Sequence, residues 1–173
     1  MTQVQSLAAP FDAMPIADRA RQVFDANNAM QLATLGGTWS PWILGAYFAR
    51  APRELQRPNQ LREQRSVASG EQQMNDLDLV LMVERHGKTM SNLVQDPRVA
   101  FSVSKNDATQ DFIQGSGTAE LLADDAAVMA ALKAKMPWYQ LYTPCAPVRI
   151  NVRELFVTSF ELGWMPARRI TIG

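Results

Sequence analysis

The chain has 173 residues, a length that one domain of about 100–200 residues accounts for and that can bury a substantial core. Its 17 basic and 17 acidic side chains give a formal net charge of zero, which excludes charge-driven binding of a polyanion by the chain as a whole. A hydrophobic share of 47% with 20% charged residues excludes the disordered and fibrous classes.

Residues 1–15 are small and polar, broken by Pro10 and Pro15, and suggest a loose N-terminal arm. From Pro15, a first-turn residue, Ile16, Ala20, Val23 and Phe24 recur at helical spacing. Met30–Leu35 and Trp42–Phe48 read as two strands joined by a turn that contains Gly36 and Gly37. Residues 50–76 differ: Arg50, Arg53, Arg57, Arg62 and Arg65 are mixed with polar residues and two prolines. This stretch reads as a long insertion between strands, a solvated surface or a basic lid over an anion.

Leu77–Val83 is an apolar strand that delivers the chain to Glu84-Arg85-His86-Gly87-Lys88. Thr89–Val94 predicts a short helix, stopped at Asp96-Pro97 because the residue before proline avoids helical angles. Asp96-Pro97-Arg98 reads as a turn, with Arg98 solvated or ion-paired. Val99–Ser104 alternates as a half-buried strand does, and Asp111–Leu122 predicts another, with Gly115 and Gly117 allowing a bulge or a close approach. Asp124 is placed to cap a helix over 125–136, where Val128, Met129, Leu132 and Met136 share a face. Trp138, Tyr139 and Tyr142 mark a corner, and Val148–Leu162 supplies one or two strands. Five to seven strands with flanking helices predict a mainly β, α+β protein, an antiparallel barrel or sandwich in one domain.

Chemistry is sparse. Cys145 is the only cysteine, so no disulfide forms within the chain and a multi-thiolate zinc site is excluded. His86 is the only histidine, and no metal site is expected. No phosphate-loop lysine motif, dinucleotide glycine fingerprint or nucleophile elbow occurs, and no catalytic acid or base stands out. No stretch approaches the about 18 apolar residues of a membrane span. The expectation is a cytoplasmic protein with no membrane or nucleic-acid partner. What remains is Arg85-His86-Gly87-Lys88-Thr89 at the exit of a strand. It joins cations, a hydroxyl and the free backbone N–H groups of a helix start, the ingredients of a phosphate grip.

The order of motifs carries more. Leu32-Ala33-Thr34-Leu35, then Gly45-Ala46-Tyr47-Phe48, then Lys88-Thr89-Met90-Ser91-Asn92-Leu93 running into Asp96-Pro97-Arg98-Val99, then Gln114-Gly115-Ser116-Gly117-Thr118-Ala119-Glu120 resembles the FMN-binding split barrels of the pyridoxamine 5′-phosphate oxidase-like family. The resemblance covers roughly residues 30–135 and implies a split β-barrel of about six strands. It puts Lys88 and Thr89 on the phosphate-binding positions, with Arg85 and His86 as helpers and Asn92 as a further polar contact. It sets Tyr47 beside the isoalloxazine ring with Thr34 beneath. It also implies a homodimer with FMN at the subunit interface, reached by Trp164 and Arg168 of the segment Gly163–Arg169.

Two departures stand out: the arginine that the oxidases carry on the second strand is absent, and the insertion 50–76 has no counterpart in a minimal member. The implied function is an FMN-dependent oxidoreductase acting on a small molecule. The alternatives are a reductase using the deazaflavin F420, whose longer anionic tail suits the arginines of the insertion, and a non-enzymatic flavin- or haem-binding module.

Overall fold

The computed structural model describes residues 13–37, 40–55, 75–104 and 111–172. Most of the N-terminal arm, and Arg57, Arg62 and Arg65 of the insertion, lie outside these residues. The chain runs α1 (Ala13–Ala26), β1 (Ala29–Leu35), β2 (Pro41–Arg50), β3 (Leu79–Glu84), α2 (Lys88–Gln95), β4 (Arg98–Val103), β5 (Phe112–Leu121), α3 (Ala126–Lys135), β6 (Cys145–Ser159) and β7 (Trp164–Thr171).

The strands form one antiparallel sheet in the order β3-β2-β1-β4-β5-β6-β7. Pairing of β3 with β6, Leu79 opposite Ile150 through Glu84 opposite Cys145, closes the first six strands into a barrel and leaves β7 outside it. Closure removes the exposed sheet edges that six open strands would present.

Alternation decides which side chains enter. Leu44, Leu32, Phe101, Gly115, Leu155 and Ile170 stand in one row across the register and point inward to the main core. Gly115 is part of that fit, because a Cβ there would overlap the Phe101 ring. The helix α1 adds Ile16, Ala20, Val23 and Phe24 to the same core. On the opposite face of the barrel wall, α3 lays Val128, Leu132 and Met136 over Ala49, Val80 and Met82. At the end of α3, Lys135 is largely buried. Its Nζ donates to the carbonyls of Phe24 at 2.8 Å, Asn27 at 2.5 Å and Phe48 at 3.2 Å and lies 3.9 Å from the centre of the Phe48 ring.

Three boundaries differ from expectation. Asn75–Leu77 is a 3-10 turn, so β3 starts two residues later than its apolar run does. The last apolar stretch is a single 15-residue strand starting at Cys145. The Gly163–Arg169 segment contributes a seventh strand, which its Pro166 and charged residues concealed. Asp124 does accept the Ala126 N–H at 2.9 Å, although the cap position itself falls on Asp125.

The insertion is closed at its base: the Ala51 N–H donates to the Asp78 carbonyl at 2.7 Å, next to the pairing of Arg50 with Leu79. Its first part is tied down by Arg149, which donates to the Leu55 carbonyl and binds Glu120 at 2.7 Å.

Candidate phosphate-binding site

The site begins where β3, buried from Leu79 to Val83, emerges at Glu84. The turn that follows is fixed by backbone bonds, Gly87 N–H to the Glu84 carbonyl at 3.2 Å and Arg85 N–H to the Pro144 carbonyl at 3.0 Å. The side chains of Arg85 and His86 are exposed on it. Helix α2 then crosses one end of the barrel. Met90 and Leu93 enter the core, and Thr89 is buried beside them. Lys88, Asn92 and Gln95, at spacings of four and three, share another side of the helix, facing the glycines of the β1–β2 turn.

That arrangement buries two of the residues that the resemblance assigns to the ligand. Thr89 is 5% exposed and Asn92 1%, so neither presents its side chain to solvent as Lys88 does. The Asn92 amide Nδ2 donates to Thr34 Oγ1 at 3.0 Å, joining α2 to β1 in the interior; Thr34 is 2% exposed. Asn92 Oδ1 is buried with no hydrogen-bond partner among the described residues. A Cβ on Gly36 would lie 3.3 Å from that oxygen and 3.7 Å from Lys88 Nζ, and one on Gly37 only 2.6 Å from Gln95 Oε1. A cavity of about 260 Å³ opens alongside, lined by Leu35, Gly36, Gly37, Gln95, Asp96 and Arg98.

Electrostatically the start of α2 is open to an anion. Gly87 occupies the cap position and offers no side-chain bond, and the first turn has no acidic residue, so its N–H groups and the positive end of the helix dipole are uncompensated. Lys88 and Arg85 add two positive charges. Glu84, whose carboxylate lies 3.4 Å from the position of a Cβ on Gly87, opposes them with one negative charge. At the far end of α2, Asp96 accepts from the backbone N–H of Arg98 at 3.0 Å and from its guanidinium at 2.6 Å. These bonds hold the Asp96 carboxyl down at about 2. Of the two expectations for Arg98, solvated or ion-paired, the ion pair with Asp96 is formed, so Arg98 is already engaged.

The remaining candidates lie elsewhere. Tyr47 is 48% exposed on the outer face of β2, its ring edge-on to Trp138 at 5.2 Å and to Tyr139 at 6.0 Å. Register pairs Thr34 with Trp42, and Tyr47 is five residues further on, about 16 Å along the strand. Between them Gly45 is bare: a Cβ there would meet nothing within 4 Å. Cys145 is half-buried beside this corner, its Sγ 3.7 Å from Thr143 Oγ1, and burial raises the nearby Tyr139 phenol, with Cys145 and Tyr47 adding to the effect.

Trp164 packs partly buried against the main core opposite Ser159. Arg168 is exposed opposite Val157. Both belong to the end of the sheet that holds Phe112 and Val103, whereas Thr34 pairs with Val99 at the other end. Within one chain they do not join Lys88. Arg50, the first arginine of the insertion, binds Asp25 at 2.8 and 3.0 Å and stands at the end of β2 remote from Gly36.

The residues that the sequence concealed are Gly36, Gly37 and Gln95. Two adjacent glycines announced a turn; nothing local told that one of them leaves room for a lysine and a buried carboxamide.

Closed barrel, appended strand and end-capping helix together define a split barrel. Neither a scan against protein-family models nor a search of curated proteins returns a match. Solved structures do match in fold. A heme binding protein from Mycobacterium smegmatis is 20% identical with a TM-score of 0.62, over 90% of this chain and 57% of that one. ChuZ from Campylobacter jejuni is 9% identical with a TM-score of 0.67, over 91% and 60%. A Listeria innocua protein provisionally named pyridoxamine 5′-phosphate oxidase is 12% identical with a TM-score of 0.57, over 82% and 97%. The chain thus spans less than two thirds of the first and second of these proteins. It has the split-barrel fold of pyridoxamine 5′-phosphate oxidase-like proteins, as its motifs imply.

Proposed function

We propose that the chain is an FMN-binding oxidoreductase whose Lys88 and α2 N-terminus hold the flavin phosphate. The observation that carries this reading is the pairing of an exposed lysine with an uncapped helix start. A phosphate satisfies both at once, through a charge-assisted bond and backbone N–H groups. Arg85 and His86 extend the positive rim from the adjoining turn. The bare backbone at Gly45, next to Tyr47, suits the close approach of a flat ring. A second copy of the chain covers the exposed Trp42, Ile43 and Tyr47 and brings its own Trp164 and Arg168 to the site. When bound, FMN supplies the hydride chemistry; the chain's part is to anchor, orient and shield it.

A haem-binding role is the second reading, favoured by the likeness to the Mycobacterium protein and by the exposed His86. F420 is less favoured. Of the arginines meant for its tail, Arg50 already carries a carboxylate and lies at the other end of β2.

The deciding experiment is to purify the protein, denature it and identify the released cofactor by mass spectrometry, with reconstitution by FMN, F420 and haem in parallel. Yellow protein releasing FMN is the expected outcome. Uptake of haem alone, or of none of the three, overturns the proposal.

A further inference from the structure

The orphaned oxygen of Asn92 has a cost. A buried acceptor without a donor destabilises a fold, and such groups in native proteins call for a partner. Rotating the amide would let Thr34 donate to the oxygen, but would turn the NH2 group toward Lys88, donor against donor. The observed orientation, with Nδ2 donating to Thr34 Oγ1, therefore keeps the acceptor on the side of the ammonium. The two atoms face one shared space, the position a Cβ of residue 36 would fill, 3.3 Å from Oδ1 and 3.7 Å from Nζ. Gly36 has no φ in the left-handed region and its N–H donates to the Ser40 carbonyl at 3.2 Å. The backbone there does not demand glycine; the space does.

We propose that Asn92 Oδ1 is a seat for the Lys88 ammonium, with Gly36 as the gap that lets it in, so that Asn92 is a positioning residue acting on the ligand phosphate through Lys88. The ammonium has three donors and can keep one on the seat while another reaches an anion at the start of α2. A lysine side chain loses rotamer freedom when fixed, and a seat reduces the part of that loss incurred on binding. This inference rests on the reading of Lys88 as the phosphate grip.

Binding of FMN and of riboflavin, which lacks the phosphate, separates the role from a merely structural one when both are titrated by flavin fluorescence. Asn92→Asp turns the seat into an ion-pair partner that retains the ammonium. It is expected to lower the preference for FMN over riboflavin by about tenfold. Gly36→Ala fills the gap, its Cβ 3.3 Å from Asn92 Oδ1 and 3.7 Å from Lys88 Nζ, and is expected to lower the preference by about threefold. In a Lys88→Met background, Asn92→Asp should add nothing. Equal losses of FMN and riboflavin, or an undiminished effect of Asn92→Asp without Lys88, overturn the seat.

A second measurement needs no flavin: the rate at which an amine-reactive ester labels Lys88, read by peptide mass spectrometry against the exposed Lys133. Asn92→Asp should slow labelling of Lys88, and Asn92→Ala and Gly36→Ala should speed it. Unchanged rates in all three overturn the proposal even if FMN binds. If FMN does not bind but the rates shift as stated, the seat stands and the flavin reading falls.

Discussion

Two lysines at different places on the barrel have opposite fates. Lys135 donates to three carbonyls from α1, the residue after it and β2, and rests over the Phe48 ring; its bonding capacity is spent on holding three elements together. Lys88 stands exposed, and among the described residues no hydrogen bond or ion pair engages it, while an acceptor beside it is also unused. A cation with all its donors satisfied by backbone is structural. A cation left free next to an uncapped helix start is available to a ligand, and that contrast separates scaffold from site more cleanly than exposure does.

The contrast breaks most visibly at Lys88. Lys88→Glu should weaken FMN binding by about 10- to 100-fold, the loss of a charge-assisted phosphate contact of about 1–3 kcal/mol, with the melting temperature nearly unchanged. Fluorescence titration and thermal melting together check both halves; a large drop in melting temperature would make Lys88 structural too.

Lys135→Met should do the reverse. Three carbonyls lose their donor, so stability should fall by about 1–3 kcal/mol, measured by chemical denaturation, while the preference for FMN over riboflavin stays as it was.

The same lysine gives stability an alkaline signature. Burial lowers its ammonium from 10.5 to about 8, with Arg50 acting in the same direction and Asp25 against it. Between those values the unfolded chain carries the proton and the folded chain has released it, so the unfolded state binds more protons and stability rises with pH. This contribution is fully present above 10.5 and lost as pH falls through about 8. Denaturation midpoints across that window should rise in the wild type relative to Lys135→Met, once the effects of other groups common to both proteins are subtracted.

The smallest effect belongs to Asp96. Its carboxyl is held at about 2 rather than 3.8 by the bonds from Arg98, so the turn it closes is stabilised above 3.8 and loses that support as pH falls through about 2. Asp96→Asn should flatten this part of the acid limb in a circular-dichroism titration. An acid limb identical to the wild type would show that the pair contributes nothing, as exposed ion pairs often do.

The strands and helices were legible because their evidence is local, which left barrel or sandwich open; the split barrel came from the resemblance carried by the order of motifs. Val99 to Ser104 alternates and becomes β4, the Asp96-Pro97 pair stops α2, and Val128, Leu132 and Met136 fall on the buried side of α3. The candidate site was legible only as a list of residue types. Lys88 could be picked out as a cation at a helix start, but the burial of Thr89 and Asn92 follows from which side of α2 meets the barrel, and Asn92 finds Thr34 across 58 residues of chain. Lys135 lies at a helix end with no local signal that sets it apart. Its acceptors come from elements 87 to 111 residues away, which no local pattern announces. Trp164 and Arg168 came from the family resemblance alone, and the strand that carries them was hidden by Pro166 and by the neighbouring charges.

The closed base of the insertion, where Ala51 is bonded to Asp78 and Arg50 pairs with Leu79, has an evolutionary consequence. Because the strands on either side are already held together, closure entropy sets only a weak limit on the number of residues between them, about 0.6 kcal/mol for each doubling. The stretch between β2 and β3 can lengthen, shorten or change composition without renegotiating the barrel. It is the part of this chain in which lineages can diversify while the barrel and the α2 turn stay as they are.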